Sequence, residues 1–325
     1  MSTNQKILKS LHEAALEGQQ YHSDIKTGKI VPSSTGRRYL DESLLGGTND
    51  SDIILLGGLT GTGKSTEMVE IAYNLATLNK NVRVCFFSFE MPGRKLASKM
   101  ISKKLQTSLR DMYNKDIPMI NEEEYNAFKD IPIDIVEMPF NIYKLESICN
   151  QYCLKYPNDR CHFIFDHSML ITNAKGNNSM ETLELLSIMC NDTKKIGSRV
   201  YFIVSQMNDK IQDYKRLATP GGQLPRMEDV YGSKTVSHAC NTMVLLARPA
   251  EMHLPSNTYG PNKLPIKGAT SYRAELGKMD FIYAVTIKAR DGSIGVEPLL
   301  CNLKNSELIQ LENNQRTVFR TKHKI

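Results

Sequence analysis

Apolar residues change their spacing along this chain at about residue 52. Before it, Ile7, Leu8, Leu11, Ala14 and Ala15 recur at intervals of three and four, which predicts one apolar stripe on a short helix over residues 4 to 18. A polar stretch from Thr27 to Thr35, containing Gly, Pro and Ser, follows that helix. The stripe therefore packs either on its own domain or on a neighbouring subunit. Beyond residue 52 the pattern alternates: Ile53 to Leu56 as a strand, a helix from Lys64, Val82 to Phe89 as a strand, a helix from Arg94. The runs His162 to Phe165, Val200 to Val204, Thr242 to Leu246 and Phe281 to Ile287 predict further strands, several continuously apolar and so buried on both faces. Strands alternating with helices predict an α/β fold with a mostly parallel central sheet flanked by helices. Residues 105 to 135 and 250 to 278 are less regular and read as insertions on that one domain.

Composition narrows the class without choosing a partner. With 325 residues and 41% hydrophobic content the chain can bury a sizeable core. No run of 18 apolar residues exists, and the N-terminus lacks the basic-then-apolar pattern of a signal peptide, so a soluble, cytoplasmic protein with no membrane span is expected. The seven cysteines are scattered, and the pair Cys149 and Cys153 has no second Cys/His pair to complete a zinc site. Free thiols are expected. A net charge of +6 fits a polyanionic partner and fits a solvated basic surface equally well.

Chemistry enters with the run Gly58 to Ser65, which fits the G-x-x-x-x-G-K-[ST] pattern, follows a predicted strand and opens a predicted helix. Its glycines let backbone N–H groups turn toward phosphates, and the helix N-terminus adds partial positive charge. Gly58, Thr60, Gly61, Thr62, Gly63, Lys64, Ser65 and Thr66 are the candidate nucleotide-binding residues. Lys64 is placed to contact the β- and γ-phosphates, and Ser65 to ligate Mg²⁺. The strand His162 to Phe165 delivers Asp166 at its carboxyl end, the position of a second metal ligand. Glu90 follows Val82 to Phe89 in the same way and is a candidate base for the attacking water. ATP or another NTP, with Mg²⁺, is the expected ligand of this RecA-like P-loop NTPase domain, taken as residues 31–325 after an N-terminal linker helix and linker at 1–30.

The segment Ser88-Phe-Glu90-Met91-Pro92-Gly93 resembles the serine-leucine-glutamate-methionine-proline segment of DnaB-type replicative helicases. The resemblance continues in order over roughly residues 30 to 310. Thr35-Gly36, Leu40-Asp41 and Leu45-Gly46-Gly47 look like that family's segment ahead of the first strand. Val204-Ser205-Gln206-Met207-Asn208 is similar to its serine-glutamine-leucine-asparagine. Gly232-Ser233, Asn241 and the next strand look like its DNA-facing motif, and Lys288 to Gly295 looks like its lysine-x-arginine-x-glycine hairpin.

The resemblance implies a catalytic set of Glu90, Lys64, Gln206, Arg290 and Lys288. Gln206 would sense the γ-phosphate, and Lys288 and Arg290 would reach the nucleotide of an adjacent subunit. It also implies a homo-oligomeric ring, a hexamer by family habit, with single-stranded DNA in the pore, the N-terminal helix docked on the next protomer, and primase or a helicase loader as partners. Lys210, Lys215, Arg216, Arg226, Ser233 and Lys234 are the candidate nucleic-acid contacts, on loops suited to tracking phosphates.

Departures accompany the match. Only about 35 residues precede the resembling region, short of the family's helical N-terminal domain. Lys99, a further nucleotide-binding candidate, stands where an arginine packs on the base, and lysine does not stack in the same planar way. Asp209, His238 and His167 replace a frequent arginine, glutamine and tyrosine. Two other readings of the fold stay open: a RecA/KaiC-like DNA-dependent ATPase forming filaments or switches, and a non-enzymatic accessory subunit that binds NTP as structural glue.

Overall fold

In a computed structural model the described residues are 9–116, 120–137, 141–172, 180–217, 222, 224–231, 233–248, 280–302 and 307–313. The apolar runs become strands β1 (Ile53–Gly58), β2 (Val82–Ser88), β4 (Arg160–Asp166), β5 (Arg199–Gln206), β6 (Thr242–Ala247) and β7 (Asp280–Ala289), joined by β3 (Ile133–Val136), β8 (Gly295–Asn302) and β9 (Glu307–Gln310). Among the described residues they form one sheet in the order β3-β2-β4-β5-β1-β6-β7-β8-β9. Neighbours from β3 to β6 are parallel, and β7, β8 and β9 add on antiparallel.

Helices cover both faces, which is why the central strands carry continuous apolar runs. Helices α2 (Arg38–Ser43), α3 (Lys64–Leu78) and α4 (Gly93–Lys104) pack with Ile54, Leu56, Val84, Phe86 and Phe202 on one face. Helices α7 (Ile142–Lys155), α8 (Met180–Thr193) and α10 (Ser233–Ala239) pack with Ile53, Leu55, Phe87, Phe163 and Tyr201 on the other. Alternation along each strand divides these two cores. The short helices α5 (Leu109–Met112), α6 (Glu122–Asn126) and α9 (Tyr214–Leu217) lie in connections.

The expected insertion at 105–135 contains, besides α5 and α6, the edge strand β3, which is half-exposed and carries Asp134, so its short run has little apolar signal. β8 escaped the pattern for a similar reason: Pro298 interrupts it, and it pairs with Tyr283 near the sheet's antiparallel edge. The expected insertion at 250–278 lies outside the described residues.

The predicted helix at 4–18 is shifted in the structure. Helix α1 runs from Leu11 to Lys26, and Ile7 and Leu8 lie outside the described residues. Its start is fixed by a capping box at Ser10 and Glu13, a local signal stronger than the apolar stripe. No residue of α1 is buried, and Leu11, Leu16, Tyr21 and Ile25 are exposed. Among the described residues no helix is long and apolar enough to cross a membrane.

One buried base couples this fold to pH. His162 of β4 is fully buried, with Nε2 2.8 Å from Thr48 Oγ1. Burial, helped by the charge of Arg160, pushes its pKa down to about 3. The unfolded chain takes up this proton near the ordinary histidine pKa of about 6.5, whereas the folded chain refuses it until far lower pH. Stability from a neutral His162 is thus complete above about pH 6.5 and declines as pH falls toward 3. In denaturant titrations, the advantage of the wild type over His162→Gln is expected to shrink by about 1 kcal/mol per pH unit between pH 6 and 4.

Candidate active site

Strand β1 ends between β5 and β6, where Gly58 is in register with Gln206 on one side and Leu246 on the other. The chain then turns through Leu59 to Gly63 into α3. Gly63 has φ +88°, a left-handed conformation that costs a side-chain-bearing residue steric energy. At Gly58 a Cβ would lie 2.4 Å from Thr62 Oγ1, so the close folding of the loop requires glycine. Thr62 Oγ1 donates to Leu59 O at 2.7 Å. The Lys64 ammonium donates to Gly58 O at 3.0 Å and Leu59 O at 2.8 Å, poised over the loop. Burial lowers its pKa, opposed by the carboxylates of Asp166 and Glu90. Thr60 and Gly61 are exposed at the mouth, and Arg248, which sequence reasoning did not select, donates to Gly61 O at 3.2 Å.

The acidic side assembles on the neighbouring strand ends. Asp166 closes β4, in register with Ser88 of β2, and Phe89 N donates to Asp166 O at 2.9 Å. Asp166 is 3% exposed, and its Oδ1 has no hydrogen-bond partner. Burial raises its pKa, while the Ser65 hydroxyl, His167 and Lys64 pull it down. Glu90 lies in the turn beyond β2, its side chain 63% exposed, with Oε2 3.5 Å from His167 Nε2. Lys99 of α4 reaches inward, its Nζ 3.5 Å from Thr66 Oγ1. Burial lowers the Lys99 pKa, countered by Asp166 and Glu90, so its ammonium faces the acidic side of the site.

The donor set fits a hard divalent cation. An orphaned, buried carboxylate oxygen beside a serine hydroxyl supplies the oxygen ligands that Mg²⁺ takes when phosphates and water complete its shell. No group of three or more His, Cys, Asp or Glu side chains able to hold a metal occurs among the described residues, so a dedicated all-protein cage is absent there.

Lys288 and Arg290 lie at the other end of the sheet. β7 runs antiparallel to β6, so Ala289 pairs with Thr242, whereas the loop-proximal Gly58 pairs with Leu246. Thr242 to Leu246 spans about 13 Å of strand, longer than an arginine side chain. Arg290 is exposed there. Lys288 is not free beside it: its ammonium donates to Ser237 O and, at 2.7 Å, to Cys240 O, closing the carbonyl end of α10 in its own chain. Lys288 is thus engaged within its own chain, whereas Arg290 is not buried.

The candidate nucleic-acid contacts divide in the same way. Lys210, Lys215 and Arg226 are exposed. Arg216 is committed inside the chain: both guanidinium branches meet the fully buried Asp229, with Nη2 to Oδ2 at 2.7 Å, and it donates further to Gly222 O and Leu224 O. The pair has a structural task, because a buried carboxylate needs its cation. Asn241 likewise has a backbone task, its Oδ1 accepting from Ile53 N at 3.1 Å at the start of β1. Ser233 and Lys234 begin α10, with side chains outside what is described, as are Gly221 and Gly232.

The segment ahead of β1 proves architectural. Asp41 accepts from Thr35 N, Thr35 Oγ1 and Ser34 Oγ at 2.7 to 2.9 Å. Arg37, also missed in the sequence, donates to both carboxylate oxygens of Glu67 at 2.6 and 2.7 Å, one turn along α3 from Lys64. An acidic residue among the apolar positions of α3 was the available signal.

A family model described as the DnaB-like helicase C-terminal domain matches residues 33–307. The replicative DNA helicase DnaB of Rickettsia conorii is 24% identical over 305 residues, covering 87% of this chain and 58% of its own length. That of Rickettsia felis is 23% identical with the same coverage. The chain thus spans 58% of the length of these relatives. Among solved structures, the ATPase domain of another protein superposes with a TM-score of 0.73 at 17% identity, covering 94% of this chain and 100% of that one. A DnaB-like replicative helicase, solved in a study of its interactions with primase, gives 0.70 at 16%, covering 96% and 69%. These two likenesses establish the RecA-like fold, and the family match, which takes in both the phosphate loop and the Arg290 hairpin, establishes that this chain belongs to the family of DnaB-like helicase C-terminal domains.

Proposed function

We propose that this chain is an NTP-hydrolysing motor, using ATP with Mg²⁺, that translocates on single-stranded DNA as a ring of copies and unwinds duplex during replication. The observation that carries this reading is the division of its catalytic groups between opposite ends of one sheet. Lys64, Ser65, Glu90, Asp166 and Gln206 gather at the carboxyl ends of the parallel strands, and Arg290 lies beyond reach at the other end. An exposed arginine so placed serves a loop on another copy. The unburied helix α1, with Leu11, Leu16, Tyr21 and Ile25 exposed, supports the same assembly, since such a face is covered when it docks on a neighbour. The likeness to the replicative DNA helicases of Rickettsia supports the replicative role, and primase or a loader are the partners to test.

In this site the loop amides and Lys64 bind the β- and γ-phosphates. Asp166 and Ser65 would hold Mg²⁺, which when bound neutralises phosphate charge. Glu90 accepts the proton of the attacking water as its oxygen bonds to the γ-phosphorus and the bond to the bridging oxygen breaks. Gln206 orients that water or the γ-phosphate, and Arg290 from the next copy stabilises the transferring group. Exposed Lys210, Lys215 and Arg226 offer phosphate contacts to the strand.

Lys64→Ala is expected to lower DNA-stimulated, Mg²⁺-dependent NTPase activity by roughly 100-fold, read by phosphate release. Mixing Lys64→Ala with Arg290→Ala, each inactive alone, should restore part of the rate, because some shared sites then hold one intact half from each copy. Rings that form without recovered activity would sink the shared site. Gly58→Ala should weaken binding of a fluorescent NTP analogue by about tenfold or more, with the circular-dichroism spectrum unchanged, since the new methyl displaces Thr62 from its place in the loop.

A further inference from the structure

Glu90 occupies a poor position for a base. It stands in a turn beyond the end of β2 with most of its side chain in solvent, and a base contributes only when its lone pair is aimed at the proton it takes. The neighbouring cations are differently engaged: Lys64 on Gly58 O and Leu59 O, and Lys99 beside Thr66. The side chain that meets the Glu90 carboxylate is His167, buried at 7% exposure, with Nε2 3.5 Å from Oε2.

The backbone beneath His167 is held from several directions. Asp166 O accepts from Phe89 N at 2.9 Å, Ser168 Oγ donates to Val204 O at 2.9 Å, and His167 O accepts from Leu170 N at 3.2 Å. A rigid, buried ring beside an exposed carboxylate is the arrangement that orients a mobile group, as supporting side chains do around reactive ones. The 3.5 Å separation is ion-pair range, and a small rotation of the exposed glutamate closes it to a hydrogen bond, the tightening expected when substrate enters. The other ring nitrogen, Nδ1, is buried without a hydrogen-bond partner, so no competing bond draws the ring away from Glu90.

We propose that His167 is a positioning residue for hydrolysis: its Nε2–H holds one oxygen of Glu90 so that the other faces the attacking water. The inference rests on the reading of Glu90 as the base. The carboxylate still takes the proton from water; the imidazole neither gains nor loses one in the step.

The test is steady-state NTPase activity of the full chain with single-stranded DNA, for His167→Ala, His167→Gln, Glu90→Ala and the double variant. His167→Ala is expected to lower kcat by about tenfold, the loss of one aimed hydrogen bond, with KM for NTP and the Mg²⁺ dependence unchanged. His167→Gln, whose amide N–H reaches the same place, should recover most of the rate. In the Glu90→Ala background, removing His167 should change nothing further. An unchanged kcat, a shift in Mg²⁺ dependence in place of kcat, or an equal loss in the Glu90→Ala background would overturn the inference and leave His167 as packing around Asp166. If Glu90→Ala itself retains the wild-type rate, the base assignment fails first and takes the inference with it.

Discussion

The carboxylate of Glu67 has no solvent exposure, and its partnership with Arg37 is the interaction around which the nucleotide end of this chain is arranged. A buried carboxylate without its cation is among the costliest defects a fold can carry, so the guanidinium must stay where it is. Burial acts to lower the Arg37 pKa, and Glu67, Tyr39 and Glu70 together more than reverse this, so the guanidinium stays charged. Tyr39 adds a hydrogen bond to Glu67, and the third side of Arg37 donates to Leu308 O of β9 at 2.9 Å. One ion pair therefore joins the approach to β1, the first turns of α3 and the far edge of the sheet.

That junction continues through hydrogen bonds nearby. Gln310 donates to Gly36 O and accepts from Arg38 N, while Arg38 meets the buried carboxylate of Glu297 in β8. Because α3 begins at Lys64 and Ser65, the orientation of the phosphate loop depends on segments that are distant in sequence and carry no phosphate chemistry themselves. Gly292, in the hairpin with Arg290, packs so closely on Ser43 of α2 that a Cβ would lie 2.5 Å from its backbone. The same α2 segment thus touches both the approach to the phosphate loop and the hairpin that carries Arg290.

The parallel register does the remaining positioning. The parallel strands end on the same side of the sheet, so residues at or just past their ends share that side whatever their place in the chain, as Glu90, Asp166 and Gln206 do across more than a hundred residues. Antiparallel β7 carries its hairpin to the opposite edge. Strand direction separates Arg290 from the phosphate loop of its own chain.

From residue spacing and local motif the chain's class was already determined. Continuous apolar runs separated by helical ones dictate a parallel sheet covered on both faces, and the run Gly58 to Ser65 dictates a phosphate loop, because backbone amides and a helix start are local properties that no distant contact has to supply. Asp166 and Glu90 were legible as strand-end residues for the same reason, and Gln206 through its resemblance to a family segment. Tertiary structure alone decided which charged side chains were free. Arg216 and Arg226 look equivalent as letters, yet only the Arg216 guanidinium pairs with the buried Asp229; Lys288 and Arg290 share one motif, yet Lys288 closes the end of α10. The strands β3 and β8 were hidden because β3 is a half-exposed edge and β8 carries Glu297 and Pro298 within its run. His167 gained its place beside Glu90 only when β2 and β4 were laid side by side. A side chain's type is written in the chain, but its partner is chosen by burial, and burial is a property of the folded whole.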